Sequence, residues 1–98
     1  MILVTGEFVA EEGRLSEARE LSLEHVRRSR REPGCLAHAV HQDAEHPSHL
    51  VFVEQWEDRA ALAAHFAAPA SREFVRSVAR LAVSAPTISI YEATRVEL

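Results

Sequence analysis

Lysine is absent from this 98-residue sequence: all eleven of its basic side chains are arginine, and fifteen Asp and Glu leave a net charge of -4. A nucleic-acid-binding surface built on excess positive charge is therefore excluded. The one dense basic run, Arg27-Arg28-Ser29-Arg30-Arg31, falls at the end of a predicted helix. Cations favour the negative end of the helix dipole there, so a solvated helix terminus is expected. Cys35 is the only cysteine, which rules out an intrachain disulfide and fits a reducing, cytoplasmic location. No apolar run is long enough to span a bilayer, and the opening MILVTGEF lacks the basic start and cleavable apolar core of a secretion signal. Glycine occurs three times, never in a phosphate-cradling loop, and there is no nucleophile elbow.

What remains is a chain of 47% hydrophobic and 27% charged residues, enough for one domain spanning residues 1–98. Residues 2–10 are apolar and β-branched, a first strand that ends at Glu11-Glu12-Gly13. Over residues 14–31 the period becomes helical, with Leu15, Ala18, Leu21, Ser22, His25 and Val26 on one side. Glu32-Pro33-Gly34 stops that helix. Strands are expected at 36–43 and 49–57, joined by a turn at Ala44-Glu45-His46-Pro47-Ser48. Asp58 is placed to cap a short helix over 59–67, which Pro69 ends. Ser71 is placed to cap another over 72–83, and a last strand occupies 87–94. The order β-α-β-β-α-β, with the second helix in two pieces, is that of the α+β ferredoxin-like fold. Right-handed crossovers put every helix on one face of its antiparallel sheet.

Leu50-Val51-Phe52-Val53 is apolar at both parities, so both faces of that strand call for burial. The chain's own helices cover only one. A second copy related by a two-fold axis is the simplest cover for the other, and a homodimer is expected.

A hairpin turn centred on His46 pairs Asp43 with His49, Val40 with Phe52, His38 with Glu54 and Leu36 with Trp56. Alternation then places His38, Phe52, Glu54 and Trp56 on one side of the sheet and His41, Val51, Val53 and Gln55 on the other. A histidine, a carboxylate and an indole are costly as plain core. They suit either a pocket between sheet and helices or a structural pairing of Glu54 with His38 or an arginine. His65 shares the sheet-facing side of its helix with Leu62 and Phe66, in surroundings kept small by alanines. An imidazole there is a candidate proton acceptor. Six histidines also invite a metal reading. However, His38 and His41 point to opposite faces, His46 and His49 lie at the turn, and no His-x-x-x-His pair or second cysteine completes a shell, so no metal is expected. Cys35 is expected to be a buried, inert thiol.

Glu32-Pro33-Gly34-Cys35-Leu36 after an amphipathic helix, then Glu54-Gln55-Trp56-Glu57-Asp58, Ala61-Leu62-Ala63-Ala64-His65-Phe66 with Pro69, and Tyr91-Glu92 together resemble the antibiotic biosynthesis monooxygenase family, in particular its quinol-monooxygenase-like branch. The resemblance covers nearly the whole chain. It implies a dimeric α/β barrel and cofactor-independent oxidation of a small aromatic (a quinol, an anthrone or a polyketide-like phenol) by O2. His65 would be the catalytic residue, with Trp56, Glu54, His38, Phe52 and Phe8 binding substrate. Some polyketide-tailoring members carry asparagine where Phe52 stands. Haem-degrading relatives need an asparagine and a histidine where Gly6 and Val75 stand, so that activity is not expected. The family also contains isomerases and members with no known reaction, so an isomerase or a non-catalytic ligand-binding domain is the alternative. An arginine directed into the pocket, such as Arg72 or Arg76, would favour a phosphorylated or carboxylated ligand.

Overall fold

Sequence periodicity and structure agree on element order. A computed structural model describes all 98 residues. It contains β1 (Ile2–Val9), α1 (Leu15–Ser29), β2 (Cys35–Gln42), β3 (His49–Trp56), α2 (Arg59–Ala67), α3 (Pro69–Leu81) and β4 (Thr87–Glu92). The strands form one antiparallel sheet in the order β2-β3-β1-β4, the ferredoxin-like arrangement. No helix is long and apolar enough to cross a membrane.

Each boundary has a local cause. The Asp58 carboxylate accepts from the Ala61 amide at 2.8 Å and caps α2 as expected. Pro69 plays a different part from the one its sequence suggests: it opens α3 at the first turn, directly after Ala68 has closed α2. A residue without an N–H costs nothing at that position. Ser71 is consequently inside α3 and buried, and caps nothing.

The hairpin register is the expected one through most of its length, with Val40 opposite Phe52 and His38 opposite Glu54. It departs at the base, where a bulge between Cys35 and Ala37 pairs Cys35 with Trp56 in place of Leu36. An extra residue on one strand turns the local alternation over, and Leu36 is left exposed. Upstream of the bulge the turn reverses at Gly34, whose φ of +82° is left-handed. A Cβ at Gly34 would stand 2.5 Å from that of Ala61. Only glycine lets this turn lie directly against α2.

Burial alternates strictly along β3, with Leu50, Phe52, Glu54 and Trp56 under the helices and Val51, Val53 and Gln55 half-buried on the open face. The apolar core divides along this strand. Leu50 and Phe52 join Phe8, Val26, Val78 and Leu81 in the larger cluster. Trp56 joins Ile2, Val4 and Leu62 in the smaller. Glu54 lies between them, so a polar seam runs through the middle of the domain.

Candidate active site

The seam is assembled from four elements. Glu54 comes from β3 and His38 from its β2 partner position. His25 comes from the buried stripe of α1 with Ala18, Ser22, Val26 and Ser29. His65 comes from the buried side of α2 with Leu62. His25, His38, Glu54 and His65 are each no more than 6% exposed.

Every charge in the seam meets a counter-group. The Trp56 indole donates to Glu54 Oε1 at 2.9 Å, and His38 Nε2 stands 3.3 Å from the same oxygen. Burial by itself pushes the Glu54 carboxyl up. His38 at its side, the Trp56 N–H and nearby His65 outweigh that and hold it below the usual carboxylate range. The His38 approach is off the line of a hydrogen bond, and neither of its ring nitrogens has a partner. His65 is held by Glu32, whose Oε1 lies 2.6 Å from Nδ1. A carboxylate only accepts, so Nδ1 carries the proton, and in the neutral ring Nε2 keeps a lone pair. Glu32 belongs to the same Glu32-Pro33-Gly34 turn that Gly34 presses onto α2, which is how the carboxylate reaches His65.

His25 is held the opposite way. An Arg28 nitrogen lies 3.0 Å from its Nδ1, and a guanidinium only donates. The ring also stacks face to face on Phe74, with centres 4.0 Å apart and planes 6° from parallel. Burial foremost, then His38, His65 and Arg28, depress its pKa to about 3. His25 is therefore a neutral imidazole at any ordinary pH.

A cavity of about 550 Å³ opens beside the seam, within the range of small-molecule pockets. His25, Glu54 and His65 reach its surface, together with Phe8, Phe52, Phe66 and Phe74. Gly6 and Val75 line it too, as do Arg72 and Arg76 from α3 and Ile88 from β4. Of the residues expected at a pocket, His65, Glu54, Phe52 and Phe8 are on the wall. Trp56 and His38 stand one layer behind it. Trp56 packs on His65 with ring centres 4.6 Å apart, and His38 stands edge-on to Trp56 at 6.1 Å. Cys35 is half-buried, and burial, with Glu54 and Glu32 nearby, raises its thiol pKa, in keeping with an inert thiol.

Sequence spacing does not reveal the histidine cluster. His25, His38 and His65 each bring a nitrogen within 4.8 Å of the others, although they come from three different elements. Glu32 already engages His65 Nδ1 in this triangle. Arg28 also occupies the Nδ1 lone pair of His25, which leaves the neutral ring's proton on Nε2. Two arginines of the basic run do more than sit as helix-end charges, although Arg30 stays exposed. Arg28 also donates to the Ala70 carbonyl at 3.3 Å, and Arg30 Nε to the His38 carbonyl at 2.8 Å. The available signal was positional, since His25 lies on the core-facing stripe of α1 and Arg28 one turn later.

The fold and site define a small ferredoxin-like domain with an aromatic-walled cavity bordered by buried imidazoles and carboxylates. The sequence profile of the antibiotic biosynthesis monooxygenase family matches residues 1–77, and the chain belongs to that family. An uncharacterized protein of Synechocystis sp. is 33% identical over 91 residues, 93% of this chain and 62% of the relative, so the chain spans less than two thirds of that protein. Among solved structures, a proposed antibiotic biosynthesis monooxygenase from Deinococcus radiodurans superposes with a TM-score of 0.94 at 26% identity, covering 100% of this chain and 97% of the other. A second structure, described as an antibiotic biosynthesis monooxygenase, gives 0.89 at 29% identity and covers 97% and 100%.

The depressed His25 pKa has a consequence for stability. The native ring stays neutral down to about pH 3, whereas the unfolded ring takes up a proton near 6.5. The unfolded chain therefore binds the extra proton between those values, and stability falls as pH drops through that window. His38, His65 and Arg28 face the ring, and the depressed carboxyl of Glu54 adds its own loss only below its ordinary value of 4.5. Between pH 7 and pH 5 His25 should account for about 2 kcal/mol of lost unfolding free energy. Urea titrations of wild type and His25→Gln at the two pH values test this. The variant should lose less by that amount, and equal losses would contradict the assignment.

Proposed function

We propose that the protein is a cofactor-independent monooxygenase that oxidises a small aromatic, a quinol, anthrone or polyketide-like phenol, with O2. The observation that carries this reading is the Glu32–His65 pair at 2.6 Å, set against a cavity walled by Phe8, Phe52, Phe66 and Phe74. Membership of the family supports it. An electron-rich phenol lies flat among the aromatic rings, which exclude water and orient it. His65 Nε2 takes the phenolic proton, and Glu32 stabilises the imidazolium that forms. The anion left behind gives an electron to O2, a step that the neutral phenol makes far more slowly. Trp56, packed on His65, and His38 keep the base in place from behind, and Glu54 stands on the wall with it.

A second reading rests on Arg72 and Arg76, which line the same cavity from α3. A ligand bearing a carboxylate or phosphate would meet them there, as in an isomerase or a ligand-binding domain. The working unit in either case is a homodimer, with the open face of the sheet, Leu3, Thr5, Val51 and Val53, covered by the same face of a second chain. Family proteins are commonly dimeric, and half-buried valines on a sheet face suit a protein partner better than water.

Oxygen-electrode assays with hydroquinones and anthrones should show consumption that falls about a hundredfold or more in His65→Gln, the usual share of a general base. Arg72→Ala should leave quinol turnover within a few-fold. Turnover that survives in His65→Gln would remove the base, and strict dependence on Arg72 would favour the second reading. Sedimentation should give about twice the chain mass of 10.9 kDa. Val53→Asp should break the assembly, and a folded wild-type monomer at micromolar concentration would exclude the barrel.

A further inference from the structure

The two imidazoles at the cavity are held in opposite tautomers by oppositely charged partners. Glu32 accepts from His65 Nδ1, so the neutral His65 ring presents a lone pair at Nε2. Arg28 donates to His25 Nδ1, so the neutral His25 ring carries its proton on Nε2. The ring centres are 5.2 Å apart, and both residues line the same cavity, which allows one substrate oxygen to touch both. The donor side is firmly placed. Arg28 is tied to the start of α3 through the Ala70 carbonyl, and the His25 plane is fixed by the stack on Phe74.

We infer that His25 is a second catalytic residue, which donates its Nε2–H to the same substrate oxygen from which His65 removes a proton, and that Arg28 is the positioning residue that fixes its tautomer. This rests on the reading of the cavity as a phenol-oxidising site and narrows the substrate to one with an ionisable hydroxyl. The step balances simply. The substrate O–H bond breaks, an N–H bond forms at His65 Nε2, and the bonding pair stays on oxygen as an anion that accepts from His25. His25 changes neither charge nor proton count. Its depressed pKa suits this role, because an imidazolium here would be an acid able to return the proton. A fixed neutral donor aimed at developing charge is the arrangement of an oxyanion hole.

The first readout is the ionisation of a bound phenol, which needs no turnover. 4-Nitrophenol, whose phenolate is coloured, is titrated with pH at saturating protein. In wild type the bound phenol should ionise at lower pH than free 4-nitrophenol, by a factor of about ten or more in its acid constant, the scale of one hydrogen bond to a charged group. His25→Phe should abolish that shift and His25→Gln, which keeps an N–H donor, should restore much of it. Arg28→Met, a change at a partly exposed side chain, should lose a large part of the shift and lower kcat more than it raises KM. Titration curves for His25→Phe and Arg28→Met that match wild type would overturn the inference. A wild-type shift that needs His25, found together with no oxygen uptake on any phenol, would instead uphold the anchor and remove the monooxygenase reading.

Discussion

Glu54 is the residue around which the rest of this domain is arranged. A carboxylate placed between two apolar clusters costs several kcal/mol if left unpaired, comparable with the whole stability of a small domain. The chain answers with the Trp56 N–H, with His38 directly across the hairpin, and with His65 above. Each answer is itself a buried polar group that needs support. His65 recruits Glu32, and His25, brought against the other two rings, recruits Arg28 and Phe74. The polar seam is thus a chain of obligations that ends at the surface, in a turn and a helix end.

The same chain of obligations fixes the tautomers of the two rings at the cavity. Two imidazoles in one buried cluster would ordinarily exchange roles, each able to donate or accept. Here a carboxylate fixes one and a guanidinium the other, so the cavity presents a proton acceptor and a hydrogen-bond donor side by side. His38, one layer further in and without a hydrogen-bond partner of its own, helps hold the Glu54 carboxyl below its usual range and does not meet the cavity. The aromatic side chains complete the division of labour. Phe74 orients His25, Trp56 packs on His65, and Phe8, Phe52 and Phe66 wall the cavity at which these few polar atoms surface.

Much of this was legible in the sequence. Strand alternation gave the shared side of His38, Phe52, Glu54 and Trp56, helical period gave the inward position of His65, and Asp58 announced α2. The failures are where contacts are non-local or local rules compete. His25 was visible as one more member of an apolar stripe, but only the packing of α1 against β2 and α3 makes it part of a site. Arg28 and Arg30 read as solvated charges because the helix dipole explains them well enough alone. Glu32 read as a helix stop, and its carboxylate finds His65 only because Gly34 lets the turn touch α2. Pro69 suits a helix start as well as a helix end, and the bulge at Cys35 and Ala37 has no signature in side-chain alternation.

The whole arrangement depends on His65 and His25 holding opposite tautomers. Long-range proton–nitrogen correlation spectra of the histidine rings at pH 7 measure this directly, with each ring assigned by the loss of its signals in the corresponding His→Gln variant. The proton should lie on Nδ1 in His65 and on Nε2 in His25, with His25 neutral. The same tautomer in both rings, or a charged His25, would contradict it.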